Sequence, residues 1–514
     1  MKRIFALLLV VFMLIPCIVA CGQPSNNGGN TTDSGTPGGN NGGNNGGTID
    51  DSQIGSIKSK DTVLTKWSGK ELKILATTWG GTDAGAPWSQ AELTVKKDEW
   101  FKQDGFGQTI NDSILNRAAR IKELYGVDLY WVNARGSNIS NLLTTAMADK
   151  SERYHIAMPR MLEAQTLVTN QVVYDLSKSL YIDFDDSYFS NMAHEAYTVH
   201  GHTFFAAGDF SFLDEQTSYL IFYNVAVSNS IEAFPNLYQK VKDGKWTIDE
   251  MINAARLYHN DNGETSGTNV HGDDDTYGFG TTTLAQFFQT SGIQQVSVNK
   301  NTNKYEITLN NPKVSTLIEK IKTLATEETW ARTSWDGGYG AMEAAFKDNR
   351  ILFYNEVVQK FDQFGQQSEN FKVGVLPCPK LDGEQETYYT PCSYQSTLIC
   401  IPKTTDDREM SEYFFDVLSW TGQEYIMKAY KEDLKSKMDP ATANESMDIL
   451  ETYVFPNLCY DVGYMHSWDG LMTTSVQGEV HKEGQNFTTL FDSAKGEAGL
   501  TVANWNTAWE DYEE

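Results

Sequence analysis

Between Leu72 and Met158 the apolar residues change period repeatedly, from the alternation of a strand to the spacing of a helix and back, and this order constrains the fold more than any other feature. Leu72-Lys73-Ile74-Leu75-Ala76-Thr77 reads as a strand. Ile110, Ile114, Leu115, Ala118, Ile121 and Leu124 recur at helical spacing, and Gly126 supplies a C-terminal stop. Val127, Leu129 and Trp131 alternate as a second strand, followed by a predicted helix over 138–148 and a short apolar strand over 154–158. Strands separated in this way by helices predict a parallel sheet with right-handed crossovers, hence an α/β fold.

A second α/β region follows. A continuous apolar strand is predicted over 219–227. Thr247-Ile248-Asp249-Glu250 reads as a capping box opening a helix to about His259, in which the threonine hydroxyl and the glutamate satisfy each other's backbone donors. Helices are predicted over 311–326, 341–347 and 410–420, strands over 350–354, 372–376 and 397–401, and a mostly helical last hundred residues. At 514 residues the chain exceeds what a single core normally supports, so two lobes are expected.

The N-terminus is of a different character. Lys2 and Arg3 precede an apolar run over 4–15, and small Ala20 stands before Cys21. The stretch resembles a bacterial lipoprotein signal, whose cysteine is lipidated and becomes the mature N-terminus; an ordinary cleaved signal is the other reading. The apolar run is shorter than the roughly 20 residues a permanent span requires. Gly22 to Gly47 is almost entirely Gly, Asn, Ser, Thr and Pro and cannot offset the entropy of ordering. It reads as a leash with a reach of roughly 25–30 Å.

Charge and cysteines narrow the classes further. The formal net charge of −27 disfavours nucleic acid and anionic membrane surfaces as partners, which leaves the lipid on Cys21 as the expected membrane contact. Beyond Cys17 and Cys21 the cysteines are Cys378, Cys392, Cys400 and Cys459, without the C-x-x-C spacing of a zinc or redox site. Cys378 and Cys392 flank a turn-rich segment, and a hairpin-bridging disulfide and buried free thiols are both open readings.

Four stretches resemble extracellular solute-binding proteins of ABC importers, the carbohydrate-binding group (family 1). They are Phe222-Tyr223-Asn224 with Trp246-Thr247-Ile248-Asp249-Glu250, Glu343 to Arg350, Phe371 to Lys380, and Ile401-Pro402-Lys403. Asn349 stands where the second pattern usually has glycine. The resemblance runs from about Trp67 to the C-terminus and implies a two-lobed periplasmic-binding-protein-like fold (type II) with ligand in the cleft and closure by a hinge. The expected division is a signal over 1–20, an anchor and tether over 21–60, one lobe over 61–218 plus 371–421, and a second over 219–370 plus 422–514. Crossings are expected near 217–220, 371 and 420–423.

A neutral sugar offers hydroxyls around a ring with one apolar face, so its site needs flat aromatics and carboxylate, amide or guanidinium groups. Such groups stand at predicted strand ends and turns: Trp79 with Asp83, Arg160, Asp209, Tyr394, and Trp468 with Asp469. The resemblance places Trp79, Asp83 and Arg160 in loops of the first lobe, Tyr354 and Asn355 where a central cleft strand emerges, and Trp468 at a late stacking position. Trp335-Asp336 is a weaker candidate, and Trp246 is assigned to packing because it directly precedes the capping box.

The acidic stretch with Asp261-Asn262-Gly263 and Asp273-Asp274-Asp275 fits a calcium loop badly. Counting from Asp273, the twelfth position is Leu284, where a bidentate glutamate is needed. No metal or other cofactor is therefore expected. The chain lacks G-x-S-x-G, H-E-x-x-H, G-x-x-x-x-G-K-[ST] and G-x-G-x-x-G. The expectation is a non-enzymatic, monomeric binding protein on the outer side of the cell membrane that delivers a carbohydrate, an oligosaccharide before a monosaccharide, to an ABC permease. The alternatives are a secreted glycoside hydrolase using paired carboxylates and a binding protein for another solute such as a peptide.

Overall fold

The computed structural model describes residues 66–78, 108–135, 139–260, 275–325, 331–333, 338–364, 367, 370–467 and 469–512. The opening alternation folds as β1 (Glu71–Thr78), α1 (Gln108–Tyr125), β2 (Asp128–Arg135), α2 (Ile139–Asp149) and β3 (Ile156–Met158). The three strands form one parallel sheet in the order β2-β1-β3, with Leu72 opposite Leu129 and Leu75 opposite Ala157. Leu72, Ile74, Leu75 and Ala76 are fully buried, the near-continuous apolar run of a strand covered on both faces. The strand predicted over 397–401 lies antiparallel beside β3 only through isolated bridges, Ala157 to Cys400 and Arg160 to Thr397.

The second sheet has five strands: β4 (Tyr219–Asn224), β5 (Tyr277–Thr281), β6 (Ala331–Thr333), β7 (Ile351–Val357) and β8 (Val373–Leu376). Their order is β6-β5-β7-β4-β8. β6, β5 and β7 are parallel, while β4 runs antiparallel to both its neighbours. β4 stops three residues before the predicted end because the Asn224 side chain accepts from Val227 N at 3.0 Å and caps a helix over Val225–Ser230.

Two details of the sequence reading change. The Thr247 hydroxyl caps its helix by accepting from Glu250 N, but the Glu250 carboxylate pairs with Lys240 instead of returning to the cap. Asn349 adopts φ +62°, a left-handed conformation that asparagine tolerates better than most non-glycine residues, so its place in a glycine pattern is physically consistent. Its amide also locks the turn, accepting from Asn224 Nδ2 at 2.7 Å and donating to Asn370 O at 2.9 Å.

β8 pairs along β4, so a boundary at 371 falls inside a sheet rather than between two. Helix α9 (Phe487–Glu510; α3 to α8 are Leu213–Gln216, Ile248–Ala255, Gln286–Thr290, Val314–Ala325, Gly338–Lys347 and Arg408–Thr421) divides between two cores. Ala498 packs with the core of the five-stranded sheet, whereas Val502, Trp505 and Trp509 pack with Leu75, Ala157 and Phe204 around the three-stranded one. Cys378, Cys392, Cys400 and Cys459 are buried free thiols.

Candidate functional site

The chain passes from one sheet to the other just after α3 and returns near Pro391. Ser218 faces Cys392 in an antiparallel bridge, Ser393 N donates to Thr217 O at 3.3 Å, and the Thr217 and Ser396 hydroxyls meet at 3.2 Å. A third segment, Leu458–Cys459, pairs parallel with Thr390–Pro391. Beside these crossings opens a cleft of about 560 Å³, bordered by Tyr219, Gln286, Gln289, Tyr394, Tyr464 and Asp469, among others.

One wall is built at the carboxyl end of β5, the edge of a parallel sheet where α/β ligand sites form. Thr281 Oγ1 donates to Thr283 O at 2.8 Å, and Ala285 N donates to Thr283 Oγ1 at 3.1 Å, so the chain turns sharply into α5. The turn sets Gln286 and Gln289 on one face of α5 at i, i+3. Both are at least 95% buried. Among the described residues, both amide atoms of Gln286 and Oε1 of Gln289 have no hydrogen-bond partner.

The facing groups come from the return crossing and the late chain. Tyr394 and Tyr464 lie 6.4 Å apart between ring centroids, inclined at 40°. Asp469 Oδ1 accepts from Thr474 Oγ1 at 3.1 Å. Lys482, on the same rim, is paired with Glu479 at 2.7 Å. Burial, assisted by Lys482 and opposed by Glu479, lowers the pKa of His481, and among the described residues its Nδ1 has no hydrogen-bond partner. The cleft thus combines aromatic faces, amides and a carboxylate, a set suited to hydroxyl-bearing ligands without net charge.

Of the residues singled out from sequence, the structure brings Tyr394 and Asp469 together on this cleft. Trp79, Asp83, Trp468, Trp335 and Asp336 lie outside the described residues, as does most of the acidic stretch before Asp275. Arg160 is buried and does not border the cleft. Its Nε lies 3.8 Å from Glu163 Oε2, and burial draws its pKa down against the opposing pull of Glu163 and Tyr394.

Tyr354 and Asn355 are corrected outright. They lie within β7, the middle strand of five, covered on both faces. Tyr354 packs on Phe346 at 5.4 Å, while Asn355 donates to Leu220 O at 2.9 Å and ties β7 to β4. Gln286, Gln289, Tyr464 and His481 also border the cleft and were not singled out from the sequence. Two glutamines framing Phe287-Phe288 on so short a helix were the available signal, since a solvent-facing amide does not normally sit among such neighbours.

Asp209 borders a separate cavity of about 350 Å³ with Asp214, Glu215 and Tyr460. Tyr460 Oη donates to Asp214 Oδ2 at 2.8 Å, and burial raises both Asp214 and Glu215. Burial also pushes Asp209 up to about 6, against the Gln423 amide that donates to it at 2.6 Å. A carboxyl raised on folding favours the native state when protonated, so this contribution is present below the ordinary value of 3.8 and lost as pH rises through about 6. Asp209→Asn, which keeps an acceptor for Gln423, is expected to raise stability at pH 7.5 by no more than about 3 kcal/mol. The gain should vanish near pH 4 in melts taken across pH 4–8; a constant difference over that range would refute the assignment.

No protein-family model matches the chain, and no curated protein matches it in sequence. Solved structures do. The cyclic alpha-maltosyl-1,6-maltose binding protein from Arthrobacter globiformis has a TM-score of 0.54 at 11% identity, covering 84% of this chain and 99% of its own. The ABC substrate-binding protein Lmo0181 from Listeria monocytogenes, solved with cycloalternan, gives 0.51 at 13% identity and covers 84% and 99%. The galacto-N-biose-/lacto-N-biose I-binding protein of the Bifidobacterium longum ABC transporter gives 0.50 at 11% identity and covers 87% and 99%. The chain therefore has the fold of type II periplasmic binding proteins. All three neighbours are described as binding proteins.

Proposed function

We propose that the protein is the substrate-binding component of an ABC importer, capturing an oligosaccharide in the cleft beside the crossings and presenting it to a membrane permease. The observation that carries this reading is the cleft itself, where Tyr394 and Tyr464 face a wall of buried amides next to the crossing strands. The fold supports it, and so do the cargoes of the neighbours, which are glycans. Lipidation at Cys21, export, attachment to the outer face of the membrane and a monomeric state are parts of the same proposal, as is a division into two lobes that close by a hinge. Among the described residues no helix is long and apolar enough to cross a membrane.

A thermal-shift screen of the mature protein against cycloalternan, maltotetraose and lacto-N-biose, with chromatography of the recovered glycan, tests it. Stabilisation by at least one glycan that emerges intact is expected. Released reducing ends would indicate a glycoside hydrolase, and stabilisation by peptides alone would move the cargo to another class.

A further inference from the structure

We infer that Gln286, supported by Gln289, is the specificity-determining group of the cleft and reads a pair of adjacent, unsubstituted hydroxyls on a sugar ring. The inference rests on the sugar-binding reading and assigns to it a residue and a recognised chemical feature.

A buried amide without partners is costly, and native proteins retain few of them. Among the described residues both amide atoms of Gln286 are in this state, in a residue 96% buried. Thr281 Oγ1 gives its hydrogen to Thr283 O and Thr290 Oγ1 gives its hydrogen to Phe287 O, while Thr290 O accepts from Gln385 Nε2. The residue borders the cleft, but its amide atoms have almost no accessible surface, so a ligand there meets them once the side chain turns outward.

The chemistry of that partner follows from the donor and acceptor set. A carboxamide presents one acceptor and two donor hydrogens side by side in a plane. Two gauche vicinal hydroxyls present the complement, one hydroxyl donating to Oε1 and its neighbour accepting from Nε2. Gln289 Oε1, one turn on, adds an acceptor for a further hydroxyl. A carboxylate ligand lacks the hydroxyl hydrogen that Oε1 requires, and a ring deoxygenated or etherified at either position leaves one amide atom unpaired. Sites of this kind reject such analogues strongly, because the buried partner is then stranded.

The same logic separates a ligand-reading glutamine from a structural one. Replacing a structural glutamine lowers stability, whereas removing an unsatisfied amide relieves a cost. Gln286→Met, close in volume, is therefore expected to raise the unliganded melting temperature and to weaken binding of the glycan that stabilises the parent protein by about tenfold or more. Gln286→Glu keeps the shape and the acceptor but replaces the donor, and should weaken binding similarly. A fall in the unliganded melting temperature of Gln286→Met, or parental affinity in both variants, would overturn the inference. If cycloalternan, maltotetraose and lacto-N-biose all fail to bind the parent protein, the sugar reading falls and this assignment with it. If the parent binds and the variants bind equally well, only the assignment falls.

Discussion

Trp246→Ala should be among the most destabilising single changes in the five-stranded sheet, costing about 3–5 kcal/mol in urea unfolding. The indole is fully buried against Phe353 of β7, ring centroids 5.7 Å apart, and Nε1 donates to Pro377 O at 2.9 Å just past β8. Alanine opens a cavity beside the middle strand and strands a buried carbonyl, two separate costs. Trp246→Phe restores most of the packing but not the hydrogen bond, so it should fall between the parent and the alanine variant. Because Trp246 does not border the cleft, glycan affinity per folded molecule should stay at the parental value in both. An affinity loss in the folded fraction would mean that the sheet behind β7 positions the site, and a cost below about 1 kcal/mol would mean that the core closes around the void.

The correct assignment of Trp246 to packing shows which kind of information the chain displays openly. Its place before Thr247 follows from local chemistry, in which a capping hydroxyl opens a helix and the preceding residue turns inward. The β1-α1-β2-α2-β3 alternation is legible for the same reason, since each element announces itself within a dozen residues. The site was less legible because it depends on long-range pairing. Tyr354 and Asn355 looked like strand-end residues, but β4 closes against β7 in antiparallel register and extends the strand to Val357, which buries both. Nothing local distinguishes a central strand that ends in a cleft from one that continues. Asp209 shows the same failure. Its turn resembles a cleft loop, yet it borders a different cavity with Asp214 and Glu215 and lies against the chain at Gly422. Conversely, Gln286 carried no aromatic or charged signal, and that its amide lacks partners among the described residues shows only in the folded chain.

That close approach yields the sharpest test of the packing near the crossings. In a solvent-exposed helix, glycine to alanine is expected to stabilise by up to about 1 kcal/mol. Gly496 and Gly499 in α9 meet that description, with nothing within 4 Å of an added Cβ. Gly422 has ordinary helical geometry, φ −60° and ψ −49°, so propensity alone predicts the same gain. Its surroundings reverse the sign. An added Cβ would lie 2.1 Å from Asp209 O and 2.6 Å from Phe210 Cα, backbone atoms that cannot rotate away. The two segments must separate, and with them go the Gln423 bond to Asp209, the Arg117 guanidinium on Phe210 O at 2.9 Å, and the Phe212–Tyr430 stack at 4.6 Å. The continuation of α8 through a π-helical stretch over Gly422–Met427 gives the chain little slack to absorb the displacement. Gly422→Ala should therefore cost at least about 3 kcal/mol, the upper end of ordinary overpacking, while Gly496→Ala in the same urea series is neutral or stabilising. If Gly422→Ala is tolerated like Gly496→Ala, the approach of these segments is looser than the structure shows, and the buried environment that holds Asp209 near a pKa of about 6 loses its support with it.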